Sequence, residues 1–510
     1  MTTITSETRT YGNWIARQSP GLFRLGMLGT GALLFAIVTA WLIEAFFGLL
    51  VGAATLVLFA PLIAPLLYRD KTGSNGWQIV LRRAAWRLGV AKAQDVYLAG
   101  LVDTYAAGSQ RLPGLLASSV LHEFVTATGI KVGMLQHSAA KHYAVALRVQ
   151  PDGSSLVDQS TVDQWVAHYG AFLADLSTEP GLVGASVTVE TSPDPGNRLA
   201  REVDRLIVPS APALSKAMLT ETAQTYPKGA ASVAAWVTLT YTGWRREAEE
   251  SEAYTRGGMA PQSKIRTPDE MATLIASRLP GLREQLAASG AGVGTPMSAQ
   301  DLTNLVRVAY DPDVAEDLDA AEGTGEDSAV DWDHAGPAAA RESWASYRHD
   351  AAASIVWTMT GPPRQAVESR VLTSLLAPHA DVHRKRVTIV YRPYEPGDAA
   401  AVVDSQVRTS RGREDGKATQ SVQTERAELT AREEANGAGL TRFSLIVTST
   451  VADPTKLGQA GETSMQLGRA SKLTLRRAYG CQAATFAAGL GIGVLLSAQV
   501  RVPAAIRDYI

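Results

Sequence analysis

One run of sequence limits the fold more than any other: from Leu25 to Tyr68 the chain carries no charge except Glu44. As a single helix at 1.5 Å per residue the run would be about 65 Å long, roughly twice a bilayer's hydrocarbon core. One straight span is excluded. Two spans fit, residues 25–43 and 47–68, with the turn where Glu44 sits. A secretory signal peptide is too short an alternative, because its apolar region covers only about 7 to 15 residues. On this count Glu44 is a solvated residue at the outer apex; the other reading is an embedded acid that pairs with a partner.

The flanks give an orientation. Arg9, Arg17 and Arg24 precede the run, and Arg69, Lys71, Arg82, Arg83, Arg87 and Lys92 follow it, so the positive-inside rule places both ends in the cytoplasm. Gly48 and Gly52 form a small-xxx-small pair for close helix approach, and Pro61 and Pro65 would bend the second span. Trp14, Trp41, Trp77 and Trp86 fall near the expected interfaces. Residues 69–97 read as a basic juxtamembrane helix or linker. There Trp77, Val80, Leu81, Ala84 and Leu88 recur at helical spacing, a face suited to anionic headgroups or to packing on the body.

The remainder is long and apolar enough, with 510 residues in all and 46% hydrophobic content, for more than one domain. Lys plus Arg number 48 against 50 Asp plus Glu, a net charge of -2, so no global field draws nucleic acid and no sequence-specific nucleic-acid binding is expected. The single Cys481 excludes an intrachain disulfide and a multi-cysteine metal site, and fits a reducing compartment.

Beyond residue 97 short strands alternate with amphipathic helices. "GIKVGMLQHS" and "KHYAVALRVQ" read as a hairpin, a helix follows from about Thr161, and "LVGASVTVE" is a strand. "SVAAWVTLTYT" is a strand. "TPDEMATLIASRL" has Thr267 as N-cap, Pro268 at the first helical position and Glu270 three residues on, and "SAQD" opens another helix. "ASIVWTMT" resembles the strand around Trp236 and precedes a helix expected over 364–376, then the strand "RKRVTIVYR". The fold class is therefore α+β: a cytoplasmic segment (1–24), a transmembrane hairpin, and a body of two or three ferredoxin-like units. These divide into a first region (98–310), an acidic linker (311–340) and a second region (341–510) with a helical insertion over 398–439. The stretch 311–337 holds ten acidic residues and no Lys or Arg, which suggests a mobile linker. The apolar "CQAATFAAGLGIGVLLSAQV" contains too many polar residues and glycines for a span and reads as a buried helix and loop.

Templates for chemistry fail one by one. "GREDGKAT" has the wrong glycine spacing for a phosphate loop, and "GLGIGV" lacks the G-x-G-x-x-G order of a dinucleotide turn. "HEFVT" puts Thr126 where a zinc-binding helix needs its second histidine. His379 and His383 fall in a loop, "DPDVAEDLD" departs from a calcium loop, and Cys481 has no local catalytic signature. No catalytic, cofactor-binding or metal residue is expected, and no cofactor.

Three phrases, "YRDKTGSNGWQ", "RLPGLLASSVLHEF" and "GSSLVDQSTVDQWVAHYGAFLADLSTEPGLVGASVTVE", resemble actinobacterial PrgI-like membrane components of conjugative, type IV-like secretion systems. There is a looser likeness to EccE, the two-span component of type VII secretion. The resemblance implies a PrgI-type membrane hairpin fused to a body similar to the non-catalytic N-terminal region of the secretion ATPase. It implies a non-enzymatic inner-membrane scaffold within an oligomeric assembly, with the lipid membrane, a separate ATPase and other membrane proteins of the apparatus as partners. A membrane-anchored enzyme without a recognised motif is the rival class.

Overall fold

The structure, a computed structural model, describes residues 10–12, 14, 26–68, 70, 75–99, 112–151, 153, 156–193, 197–208, 210–225, 231–245, 264–324, 330–363, 365–411, 418–435 and 437–499. After the two-residue strand β1 (Thr10–Tyr11), the apolar run forms α1 (Gly26–Phe47) and α2 (Leu49–Leu67). They are joined at Gly48, whose φ of 84° is a left-handed conformation that glycine adopts at little cost. Its N–H closes on the carbonyl of Glu44 at 2.9 Å. Ala36 and Ala40 of α1 are buried, and Phe35 meets Phe59 of α2 edge-on at 6.3 Å. α3 (Gly76–Ala91) and β2 (Val96–Leu98) follow, with Gly76 packed against Pro65, where a Cβ would come within 2.6 Å of the Pro65 carbonyl.

This corrects the expected transmembrane hairpin. Among the described residues no helix is long and apolar enough to cross a membrane. Gly48 divides the run, α1 carries Thr30, Thr39 and Glu44, and α2 has Pro61 and Pro65 inside it. Spans over 25–43 and 47–68, and with them a multi-pass inner-membrane protein with a cytoplasmic N-terminus and body, are withdrawn. Arg9, Arg17, Arg24, Arg69 and Lys71, which gave the orientation, lie outside the described residues. Gly48 cannot belong to a helical small-residue face, since it is the turn itself.

The rest of the chain is α+β and builds a 13-stranded antiparallel sheet from two runs of elements in the same order. The first is β3 (Ser119–Val125), β4 (Lys131–His137), β5 (His142–Val149), α4 (Gln159–Asp175), β6 (Leu182–Pro193), α5 (Asn197–Leu206), α6 (Ala213–Thr225), β7 (Ala231–Thr242), α7 (Pro268–Leu286), β8 (Thr295–Pro296) and α8 (Ala299–Tyr310). A linking helix, α9 (Ala315–Thr324), leads to the second. That run is β9 (Ala339–Glu342), β10 (Tyr347–His349), β11 (Ala352–Met359), a short β12 (Val367–Glu368) that pairs with β1, α10 (Thr373–Leu376), β13 (Arg384–Pro393), α11 (Pro396–Arg411), α12 (Ala418–Ala435), β14 (Thr441–Val451), α13 (Leu457–Ala470), β15 (Leu475–Arg477) and α14 (Gln482–Gly489). α15 (Leu496–Gln499) ends the described chain.

The two runs meet through β6 and β13, with Thr188 opposite Thr388. Counting outward, these face Trp236 and Ile446, which face Arg148 and Thr358, which face Thr295 and Arg476. A two-fold pseudosymmetry axis thus passes between Thr188 and Thr388. Each half has the strand order β8-β5-β7-β6 or β15-β11-β14-β13, the split β-α-β order of ferredoxin-like folds.

The sheet is rolled. α8 starts beside β4, where Met297 O accepts from Gly133 N at 2.7 Å, and ends with Tyr310 O against His349 on β10. Twelve helical residues reach about 18 Å, whereas the seven strand steps from β4 to β10 would reach about 33 Å if flat. Inside the roll, α8, α14 and the segment after it pack on the inner faces of both halves: Leu302, Val306, Tyr310, Phe486, Leu490 and Ile492 form one core with Leu135, Trp236, Tyr347 and Ile446. Outside, α4 and α7 cover the first half around Phe172, Met271 and Ile275, while α10 and α13 cover the second around Leu375 and Trp357.

Several local expectations shift. α4 starts at Gln159 behind Asp158 rather than at Thr161. The helix expected over 364–376 is reduced to α10, because Val367 and Glu368 are taken up in pairing with β1. Part of the acidic stretch 311–337 is folded: α9 occupies 315–324, and buried Trp332 donates from Nε1 to Ser119 Oγ at 3.2 Å. The partner of "ASIVWTMT" by position is β5, not the Trp236 strand.

Candidate functional site

Two features can support function: the surface of the N-terminal hairpin and the seam at the pseudosymmetry axis. On the hairpin, Trp41, Phe46, Phe47, Leu49 and Leu50 are exposed, Leu50 by 86% and Phe46 by 81%. Glu44, also exposed, stands in the last turn of α1, where a carboxylate gains nothing from the helix dipole. The hairpin connects to the body through α3. Trp86 meets Trp344 at 6.0 Å, Trp344 stacks on Tyr479 at 5.8 Å, and the Arg477 guanidinium lies over Trp357 at 4.8 Å, a continuous aromatic and cationic contact between α3 and the second half.

At the seam, Arg384 and Arg386 both bond the buried Glu190, Arg386 Nε donating to Oε2 at 2.8 Å. Burial raises the Glu190 pKa, but the two guanidiniums outweigh it and hold the carboxyl below its ordinary value. Lys385, on the opposite face of β13, donates to Ala377 O and is pushed down to about 8 by burial. A glycine-rich strap, 489–495, lies across the axis. Gly489 O accepts from Thr388 Oγ1 at 2.7 Å, Gly491 O from Trp236 Nε1 and Thr238 Oγ1, and Ile492 O from His137 Nε2 at 2.9 Å. Gly491, with φ 65°, admits no Cβ: one would stand 2.0 Å from Thr188 Oγ1.

The hairpin is also what the comparisons pick out. Residues 18–78 match a family described as Domain of unknown function (DUF8461). The match covers α1, α2 and the first turn of α3 and no part of the rolled sheet. No curated protein matches the chain.

The motifs weighed in the sequence fall in structural places. His122 and Glu123 of "HEFVT" lie on strand β3, not on a helix; His122 Nε2 bonds Gln136 Oε1 at 2.8 Å, and Glu123 accepts from Ala299 N at the start of α8. "GLGIGV" is the strap just described. His379 and His383 precede β13, and Asp381 between them accepts from Gln459 and Thr463 on α13. Residues 412–417 of "GREDGKAT" lie outside the described residues. Cys481 is exposed and stands at the N-cap of α14. Among the described residues no cluster of His, Cys, Asp and Glu has the grouping to hold a metal. The sequence did not flag Glu190 with Arg386, which are 196 residues apart, or His137 and His349, which occupy equivalent positions in the two halves.

Proposed function

We propose that the chain is a non-enzymatic scaffold component of a conjugation or protein-secretion apparatus, acting by docking partner proteins, among them a separate ATPase. The observation that carries this reading is the exposed apolar surface of α1 and α2, where Phe46, Phe47, Leu49 and Leu50 cluster at the turn. Folded proteins seldom leave a contiguous apolar patch of this kind without a partner. The aromatic contacts of α3 tie the hairpin to the sheet, so a partner held at the tip is also held at a defined place relative to the body. Tethering of this sort raises effective concentration without any chemistry by the scaffold.

The test uses the purified full chain and the ATPase of its own secretion system, with retention measured on a column carrying the chain. Phe46→Ser and Leu50→Ser together should leave the melting temperature within a degree or two and reduce ATPase retention by roughly tenfold or more, as expected for apolar anchors. Undiminished retention by this variant would overturn the hairpin as the docking element. ATP turnover by the chain alone would overturn the scaffold.

A further inference from the structure

We propose that a cavity on the second half's inner face binds a small, uncharged ring compound the size of indole. The cavity, about 220 Å³, is walled by Val390 of β13, Ile446 of β14, Ala488 of α14 and Val494 and Leu495 of the strap, with the exposed Ser444 at its mouth. This goes beyond the scaffold reading and does not rest on it.

The pseudosymmetry accounts for the open space. Ile446 is equivalent to Trp236, each facing the threonine at the axis, Thr388 or Thr188. Trp236 is buried, and its indole donates to Gly491 O and lies 6.0 Å from the Arg386 guanidinium. The neighbouring positions change in the same direction. Across the seam, the pair Glu190–Arg386 is equivalent to Val390–Ser186, so a bonded carboxylate and guanidinium on one side of the axis stand where an isopropyl and a hydroxymethyl group stand on the other. Ser186, buried beside Val390, has a hydroxyl with no hydrogen-bond partner among the described residues. Larger side chains on one side of the axis thus answer smaller ones on the other, and the aromatic ring among them is an indole.

Volume and charge both narrow the ligand. A dry apolar cavity of about 150 Å³ holds benzene, so one of about 220 Å³ admits a fused pair of rings. Arg392 of β13 is the one charged side chain on the wall, and it already has a partner, so it offers no free cation to an anion. An unpaired carboxylate buried among these side chains would lose its hydration without compensation, whereas a neutral ring displaces only water from apolar surface.

The probe is indole, titrated calorimetrically into the full chain, with indole-3-carboxylate as the charged control on the same ring. Indole should bind saturably with a dissociation constant of about 1 mM or below, and the carboxylate at least roughly tenfold more weakly. Ile446→Trp, which sets the first half's residue at this place, should abolish indole binding while the protein still melts cooperatively. Ser444→Trp is the second variant, because an exposed position accepts a large side chain without loss of the fold; it should close the mouth and weaken indole by roughly tenfold or more. No saturable binding of indole to the wild type would overturn the proposal, and equal or tighter binding of the carboxylate would overturn the uncharged class, in both cases without recourse to a variant. Undiminished indole affinity in Ser444→Trp, or in a folded Ile446→Trp, would overturn the location.

Discussion

The two halves of the sheet share a topology and differ in what they bury at the same places. On one side of the axis lie Trp236 and an ion pair across the seam, Glu190 of β6 with Arg386 of β13, and at the equivalent places on the other side lie Ile446, Val390 of β13 and Ser186 of β6. Outside, the first half is covered by α4 and α7, of 17 and 19 residues, and the second by α10 and α13, of 4 and 14. The halves match in hydrogen-bond register and differ in side-chain chemistry.

The largest expected effect falls on the ion pair. Glu190→Gln leaves the buried Arg386 and the half-buried Arg384 without their carboxylate, a change that costs about 3 to 5 kcal/mol in buried pairs. The depressed Glu190 pKa carries the same sign: its contribution is present above the unfolded value near 4.5 and is lost as pH falls below it. Val390→Gln puts an amide at the equivalent place in the second half, next to the unpartnered Ser186 hydroxyl, and should cost less. Urea unfolding of the two variants at pH 7 measures the difference; equal losses would mean that Glu190 is no more than a buried polar residue.

A second contrast lies in the equivalent histidines. Each reaches across the roll to hold a segment from the other half: His137 donates to Ile492 O, and His349 Nδ1 to Tyr310 O. The His349 tautomer follows, because Nδ1 donates, so Nε2 accepts from Ser354 Oγ at 2.8 Å and Ser354 in turn accepts from Thr450. His137 Nδ1 has no partner. Burial lowers the His349 pKa to about 4 from 6.5, so the fold favours the neutral ring. Stability from this group is complete above pH 6.5 and is lost as pH falls toward 4, roughly 2 kcal/mol of it by pH 5. His137 and His142, both lowered by burial, act in the same direction. Urea midpoints at pH 7.5 and pH 5 should show this loss in the wild type and a shallower one in His349→Gln; parallel slopes would remove His349 from the account.

How much of this could be read from the sequence depends on distance along the chain. The hairpin of β4 and β5 was legible from alternation at Tyr143, Val145, Leu147 and Val149, and the caps at Thr267 and Ser298 from their partners Glu270 and Asp301, because each signal lies within a few residues. The pairing of the halves was not, since register-equivalent positions carry unlike residues such as Arg148 and Thr358, or Thr295 and Arg476. Similar apolar content made "ASIVWTMT" look like the Trp236 strand, whereas the ladder sets Trp357 in the place of Leu147. In the N-terminal run, charge drew the turn to Glu44, while backbone conformation puts it at Gly48. Phe46 and Phe47 therefore end α1, where the sequence reading put Phe46 in the turn and Phe47 at the start of the second span.

The smallest expected effect, that of Thr188→Val, falls on the axis itself, where Thr188 faces Thr388. Thr188 and Thr388 are bonded to each other at 3.1 Å, and Thr388 also donates to Gly489 O, so its oxygen must accept the Thr188 proton. The symmetry of sequence is therefore broken by the direction of one hydrogen bond. Thr188→Val removes a donor whose loss leaves Thr388 still bound to the strap, and should cost about 1 kcal/mol. Thr388→Val removes both bonds and leaves the buried Gly489 carbonyl without that donor, which should cost about 1 to 3 kcal/mol and speed exchange of the amides in the strap. If the two variants lose the same stability, the strap draws nothing from Thr388, and the axis is symmetric in energy as well as in sequence.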